Sequence, residues 1–271
     1  AYTNSHRLDT AEKLLNENNN NLRYEVINTG TIGYSIDNEY LLLLDKGLEL
    51  KPDLVILAFF TGNDITELRR HEWETDENGI PISLRDTKHY VDNENRLRYY
   101  GEDEPWSYFL NFLNKRWIIL QKKWGIYNDP EQEPTITWPA YLETDNLHGD
   151  KRLPKFWSQI EIVLKAMKQK LNQENIKFLV MAIPMDVQTN KKYWDKYADM
   201  YFDEDAYEKN RPQTKLRELS QLYQIDLLDL LPYFRKVDDN AWLYFEKLDP
   251  HWTEAGHLLV AEILSKKLKN E

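Results

Sequence analysis

The stretch "DLVILAFFTGND", Asp53 to Asp64, decides how this chain folds. Leu54 to Phe60 is an unbroken apolar run that ends in glycine and polar residues. A strand with one wet face would alternate, so a continuous run bounded by turn residues is the pattern of a strand buried on both faces of a parallel sheet. Upstream, "YEVINTG" (Tyr24 to Gly30) reads as a second β-rich run ending in turn residues. Between the two, "IDNEYLLLLDKGLEL" (Ile36 to Leu50) is expected to form a helix with Asp37 as its N-cap, which completes a βαβ unit.

The same rhythm continues downstream. Ile160, Val163, Leu164, Met167 and Leu171 recur at helical spacing before the strand-like "IKFLVMAIP", Ile176 to Pro184. A helix around Leu216 to Tyr223 is expected before "IDLLDLLPYF", Ile225 to Phe234, and Thr253 is the expected cap of a terminal helix over Ala255 to Leu268. Alternating strands and helices imply a three-layer α/β/α architecture, with a mainly parallel sheet covered on both faces and right-handed crossovers.

Composition narrows the function classes. The 35 Lys+Arg and 46 Asp+Glu leave a net charge of −11, which repels phosphate backbones, so nucleic acid is not an expected partner. Cysteine is absent, which excludes disulfides, thiolate metal sites and cysteine nucleophiles and leaves the compartment open, with an extracytoplasmic location favoured. No apolar run approaches the roughly 20 residues that span a bilayer, and "AYTNSHRLDT" lacks the basic and apolar regions of a signal peptide.

From about residue 65 to 150 the chain is polar and aromatic, with turn-rich "TDENGIP" and "YNDPEQEP" and no evident core strand. It reads as an aromatic-rich insertion within a single domain spanning 1–271. Trp73, Trp106, Trp117, Trp124 and Trp138 fall inside it, and Phe109, Leu113, Trp117, Leu120 and Trp124 lie near one face of an expected helix. Such an insertion needs a small core of its own, or it serves as a lid or stacking platform for a substrate.

Three polar motifs fall where the strands end, the place where ligands bind in open parallel sheets. They are "NTGTIG" with Gly33, "TGND" with Gly62, Asn63 and Asp64, and "DPHWTEAGH" with Asp249 and His251. Each alone is ordinary turn or capping chemistry. Together and in this order they resemble the SGNH hydrolase superfamily, also called the GDSL-type esterases and lipases, whose second, third and fifth blocks they match.

The resemblance implies a flavodoxin-like fold and a Ser-His-Asp triad acting on a carboxylic ester, quite apart from any metal or cofactor. His251 would be the base and Asp249 its partner, brought together by a turn that Pro250 helps to fix. The Gly33 N–H and the Asn63 side-chain amide would donate to the oxyanion, Gly62 would let the loop pass close to substrate, and Asp64 would brace it. The substrate would be a small-molecule or carbohydrate ester.

One block has no counterpart. No Gly-Asp-Ser occurs in the sequence, and the first, central strand is missing with it. In family members a helix resembling "HRLDTAEKLLNE" (His6 to Glu17) closely follows the nucleophile, so the serine is expected upstream of Ala1. Ser5 and Ser35 are weaker alternatives, because neither follows an apolar strand into a sharp turn. Two further readings stay open: a carbohydrate O-acetyltransferase, with "DPHW" and its Trp252 reminiscent of polysaccharide acetylation proteins, and a non-catalytic SGNH-like protein that binds a sugar or acyl group.

Overall fold

The computed structural model describes residues 5–17, 23–31, 33–86, 89–91, 97–99, 116–117, 153–195, 208–238, 241–245 and 251–270. Its centre is a parallel sheet of β1 (Leu54–Phe60), β6 (Lys177–Ile183) and β7 (Asp226–Asp229) in the order β1-β6-β7. β1 and β6 run in register from Leu54 opposite Lys177 to Phe60 opposite Ile183.

β6 shows why this is a three-layer fold. Phe178, Val180 and Ala182 enter one core with Leu57 and Phe59 of β1, while Leu179 and Met181 enter a second core with Leu228 of β7. Side chains alternate across a strand, so a continuous apolar run feeds both faces at once. The first core is closed by α2 (Ile36–Leu42), α4 (Leu153–Gln173) and α6 (Arg211–Tyr223). Ile160, Val163, Leu164, Met167 and Leu171 of α4 are all buried there, at the spacing that puts them on one helix face. The second core is closed by α8 (Glu254–Lys269) through Val260 and Ile263. The α/β/α class read from the pattern is the class observed.

The terminal helix starts where its cap residue directs. Thr253 Oγ1 accepts from the Gly256 N–H at 3.4 Å, Glu254 lies in the first turn, and Lys266, Lys267 and Lys269 lie in the last, all favourable to the helix dipole. Its far end ties down α1 (Ser5–Asn16): Lys269 Nζ donates to the Leu14 carbonyl at 2.6 Å and the Glu17 carbonyl at 3.1 Å.

Three expectations need correction. Tyr24 to Gly30 is not a strand: strand structure needs a ladder partner, and the backbone of this segment is held by side chains of α1 instead. Asn16 Oδ1 accepts from the Tyr24 N–H at 2.8 Å, and Glu12 Oε2 from the Val26 N–H at 3.0 Å. Second, the cap of α2 is Ser35, not Asp37, and the helix passes into a π turn at Leu43–Gly47 and a 3₁₀ turn at Leu48–Leu50. Third, the insertion does contain strands. β2 (His71–Thr75) and β3 (Pro81–Asp86) form an antiparallel hairpin around the Asp76 to Ile80 turn, and β4 (His89–Val91) pairs with β5 (Leu97–Tyr99). Of the helix expected over Phe109 to Trp124, only residues 116–117 are described, and they are helical.

Candidate active site

Two loops converge on the carboxyl end of β6. The first follows β1. Thr61 donates to the Ile183 carbonyl from both its N–H and its Oγ1, each at 3.0 Å, and Oγ1 also reaches Gln188 Oε1 at 2.9 Å. Gln188, in the short α5 (Asp186–Thr189), is buried and distributes the network: its Oε1 accepts from the Met185 N–H at 3.0 Å, and its Nε2 donates to Gln213 Oε1 at 2.7 Å. Nothing in the sequence pattern singled out Gln188; the available signal was a polar "PMDVQ" directly after a buried strand.

Gly62 and Asn63 follow in this loop. A Cβ on Gly62 would come within 2.5 Å of the Phe60 ring and 3.1 Å of Met185 Cγ, so the glycine leaves room for these two side chains, a packing role beside the approach of substrate expected for it. Asn63 precedes α3 (Asp64–Glu67), and its carbonyl accepts the Thr66 and Glu67 N–H groups, each at 2.8 Å. Asp64 is buried, and its Oδ2 accepts from the Phe60 N–H at 2.7 Å, closing the loop back onto its strand.

The second loop carries His251. Tyr244 bridges to Trp252 in antiparallel fashion, the Phe245 N–H donates to the His251 carbonyl at 3.0 Å, and the Thr253 N–H donates to the Leu243 carbonyl at 3.0 Å. Tyr244 is buried and its hydroxyl donates to the Pro184 carbonyl at 2.9 Å, which pins this ladder to the residue just beyond β6. Trp252 stacks on Phe234 of α7 (Leu231–Phe234) at 5.6 Å between ring centroids, so it packs the turn into the second core. His251 itself is exposed. Asp249, its expected partner, lies outside the described residues.

Gly33 sits at φ 82°, exposed, two residues before the α2 cap. The turn beyond it is held by a cluster that sequence reasoning missed. Asp37 is fully buried; its Oδ1 accepts from Ser35 Oγ at 2.6 Å and from the Asn38 N–H at 2.9 Å, and its Oδ2 meets His71 Nδ1 at 3.0 Å and accepts from Trp73 Nε1 at 2.8 Å. Burial pushes the carboxyl up, but the hydrogen bond and charge of His71, together with the bonds from Ser35 and Trp73, outweigh it and hold the group below its ordinary range. Ser35 therefore bonds to a carboxylate, not to a histidine, and the histidine lies on the far side of that carboxylate. That arrangement caps a helix and clamps the hairpin; it does not activate a hydroxyl.

Next to it, acids outnumber bases. Burial and then the Asp37 charge push Glu39 up to about 7, and burial and then the Glu39 charge push Asp64 well above the usual carboxylate range. Glu67 of α3 pairs with Arg70. No group of His, Asp and Glu side chains among the described residues is arranged to hold a metal ion. No helix among them is long and apolar enough to cross a membrane.

Comparison with known proteins bears on the part of the chain that holds the Asp249/His251 motif. No curated protein matches. Among the solved structures that match, a crystal structure is similar with a TM-score of 0.28 and 16% identity, over 42% of this chain and 51% of that one. The chain thus spans about half the length of the solved chain that it matches, and a likeness this slight carries no argument. Residues 150–271 match the family model described as SGNH hydrolase-like domain, acetyltransferase AlgX. Over that segment the chain is similar to an SGNH hydrolase-like domain, which supports the resemblance to the SGNH hydrolase superfamily carried by its motifs.

Proposed function

We propose that this chain belongs to an enzyme that breaks or transfers a carboxylic ester, in particular an O-acetyl ester on a carbohydrate, with His251 as general base. The observation that carries this reading is the anchoring of both polar loops, Thr61 to Asp64 and Tyr244 to Thr253, on the residues that end β6. Asp249 would hold the His251 imidazole in the right tautomer, and Asn63 Nδ2 and the Gly33 N–H would donate to the oxyanion. The nucleophile would be a serine outside the 271 residues, since none in the sequence stands in a Gly-Asp-Ser setting.

In the first step the serine Oγ bonds to the acyl carbon, its proton passes to His251, and the bond to the leaving alcohol breaks as His251 returns that proton to the alcohol oxygen. In the second, an acceptor oxygen attacks the acyl-enzyme while His251 takes its proton, and the serine leaves with that proton restored. Water as acceptor gives an esterase; a sugar hydroxyl gives an acetyltransferase. Similarity of residues 150–271 to an acetyltransferase family favours the sugar hydroxyl.

Labelling the full-length protein with a fluorophosphonate and mapping the adduct by peptide mass spectrometry tests the reading. An adduct on a single serine, slowed when an excess of acetyl donor is present during labelling, is the expected result. No adduct under conditions that label a control esterase would reduce the assignment to a binding protein of this fold.

A further inference from the structure

The ladder that presents His251 also presents an exposed aromatic side chain on a left-handed backbone, whose carbonyl accepts from Thr253 Oγ1. Trp242 has φ 45°, a left-handed backbone that is an outlier for a bulky side chain. Trp242 is only half buried in return, at 50% exposure. A strained backbone that holds a large ring out toward solvent points to a ligand. Thr189, Asn190, Tyr193, Asp238 and Tyr244 are among the polar and apolar residues that line a cleft with the ring, and Lys192 Nζ stands 5.4 Å from the ring centroid.

The register connects this cleft to the candidate base. Tyr244 and Trp252 turn into the second core, so their neighbours Phe245 and His251 face the other way and stand across from each other. Phe245 is 44% exposed there. Trp242 lies three residues back along the segment, at the left-handed residue where strand alternation no longer fixes which way a ring points. Trp242 and Phe245 are thus two exposed aromatic residues of the segment that carries the ladder, the second of them paired with His251.

The cleft has a volume of about 20 Å³, room for a hydroxyl or a water, so a larger ligand would lie across the indole and reach into the cleft only with its rim. A planar aromatic face with an amide and a carboxylate at its edge suits a ring that has an apolar C–H face and hydroxyls around its rim. We propose that Trp242, with Asn190 and Asp238, is a subsite for a pyranose ring of an oligosaccharide, at a distance from the sugar whose ester would meet His251. The placement of that ester rests on the function proposed above; the stacking of the ring does not.

The test is calorimetric titration of the full-length protein and its Trp242→Ala and Trp242→Phe variants with cello-, xylo-, chito- and mannuronate hexasaccharides, alongside turnover of an aryl acetate. At least one hexasaccharide should bind the wild type, Trp242→Ala should weaken that binding by about 10-fold or more, Trp242→Phe should weaken it less, and aryl acetate turnover should be unchanged. Trp242→Gly, which relieves the backbone, should lose the binding while melting close to the wild-type temperature. This separates loss of the ring from loss of the fold. Failure of every hexasaccharide to bind the wild type, or equal binding by Trp242→Ala, overturns the subsite. A protein that binds sugar through Trp242 but turns over no ester would sink the catalytic reading and leave the subsite standing.

Discussion

The loop after β1 and the ladder before α8 meet at the same strand end but are built in opposite ways. Around the first, polar groups are buried and bonded: Thr61 to Gln188 and Ile183, Asp64 to Phe60, and nearby Asp37 to four separate partners. The second exposes His251, Phe245 and Trp242 while burying Tyr244 and parts of Leu243 and Trp252. The difference follows from what each side would do in acyl transfer. Oxyanion donors gain from being fixed before charge develops, because reorganising them during the reaction costs barrier height. A base and a sugar platform must stay open until substrate covers them.

The largest effect expected on the buried side is that of Asp37→Ala. It strips the acceptor from Ser35 Oγ, the Asn38 N–H and Trp73 Nε1 at once, and urea unfolding should show a loss of about 4 kcal/mol. A loss below about 1 kcal/mol would mean that the hairpin is held by other contacts. Asn63→Ala comes next: kcat should fall about 100-fold with KM nearly unchanged, whereas a change confined to KM would remove Asn63 from the oxyanion role. Gly62→Ala pushes a methyl against Phe60 and Met185 and should cost roughly 2 kcal/mol of stability.

A further effect is one of pH. Glu39 is raised from 4.5 to about 7 in the fold, so between those values the folded chain keeps a proton that the unfolded chain has lost. Stability should therefore fall as pH rises from 4.5 toward 7 and level off above, and Glu39→Gln should flatten that slope. Asp64, shifted in the same direction, leaves part of the slope in place. A slope unchanged by the substitution would transfer it to Asp64.

How much of this the sequence disclosed depended on the range of the interaction. β1, β6, α4 and α8 were legible because an apolar run, a 3.6-residue period and a Thr cap are local properties. Tyr24 to Gly30 has strand composition, but a ladder is made with a neighbour, and composition does not supply one. The β2–β3 hairpin was hidden because "HEWET" and "PISLRD" carry few β-branched residues, although the turn between them was recognised. Asp37 looked like a cap since its other role depends on His71 and Trp73, which lie 34 and 36 residues away. Of the site, the motif residues were legible as types and order; the anchoring of their loops through Gln188 and Tyr244 was not, because it crosses between elements.

The central claim is that the exposed histidine beside this buried framework is a working base. Comparing His251→Ala with the wild type in the full-length protein, for both acetyl turnover and urea unfolding, tests it most directly. The account predicts that turnover falls on the order of 10⁴-fold or more while unfolding stability moves by less than about 0.5 kcal/mol, as expected for an exposed side chain. Turnover retained within a few-fold of wild type, in a variant just as stable, would contradict it.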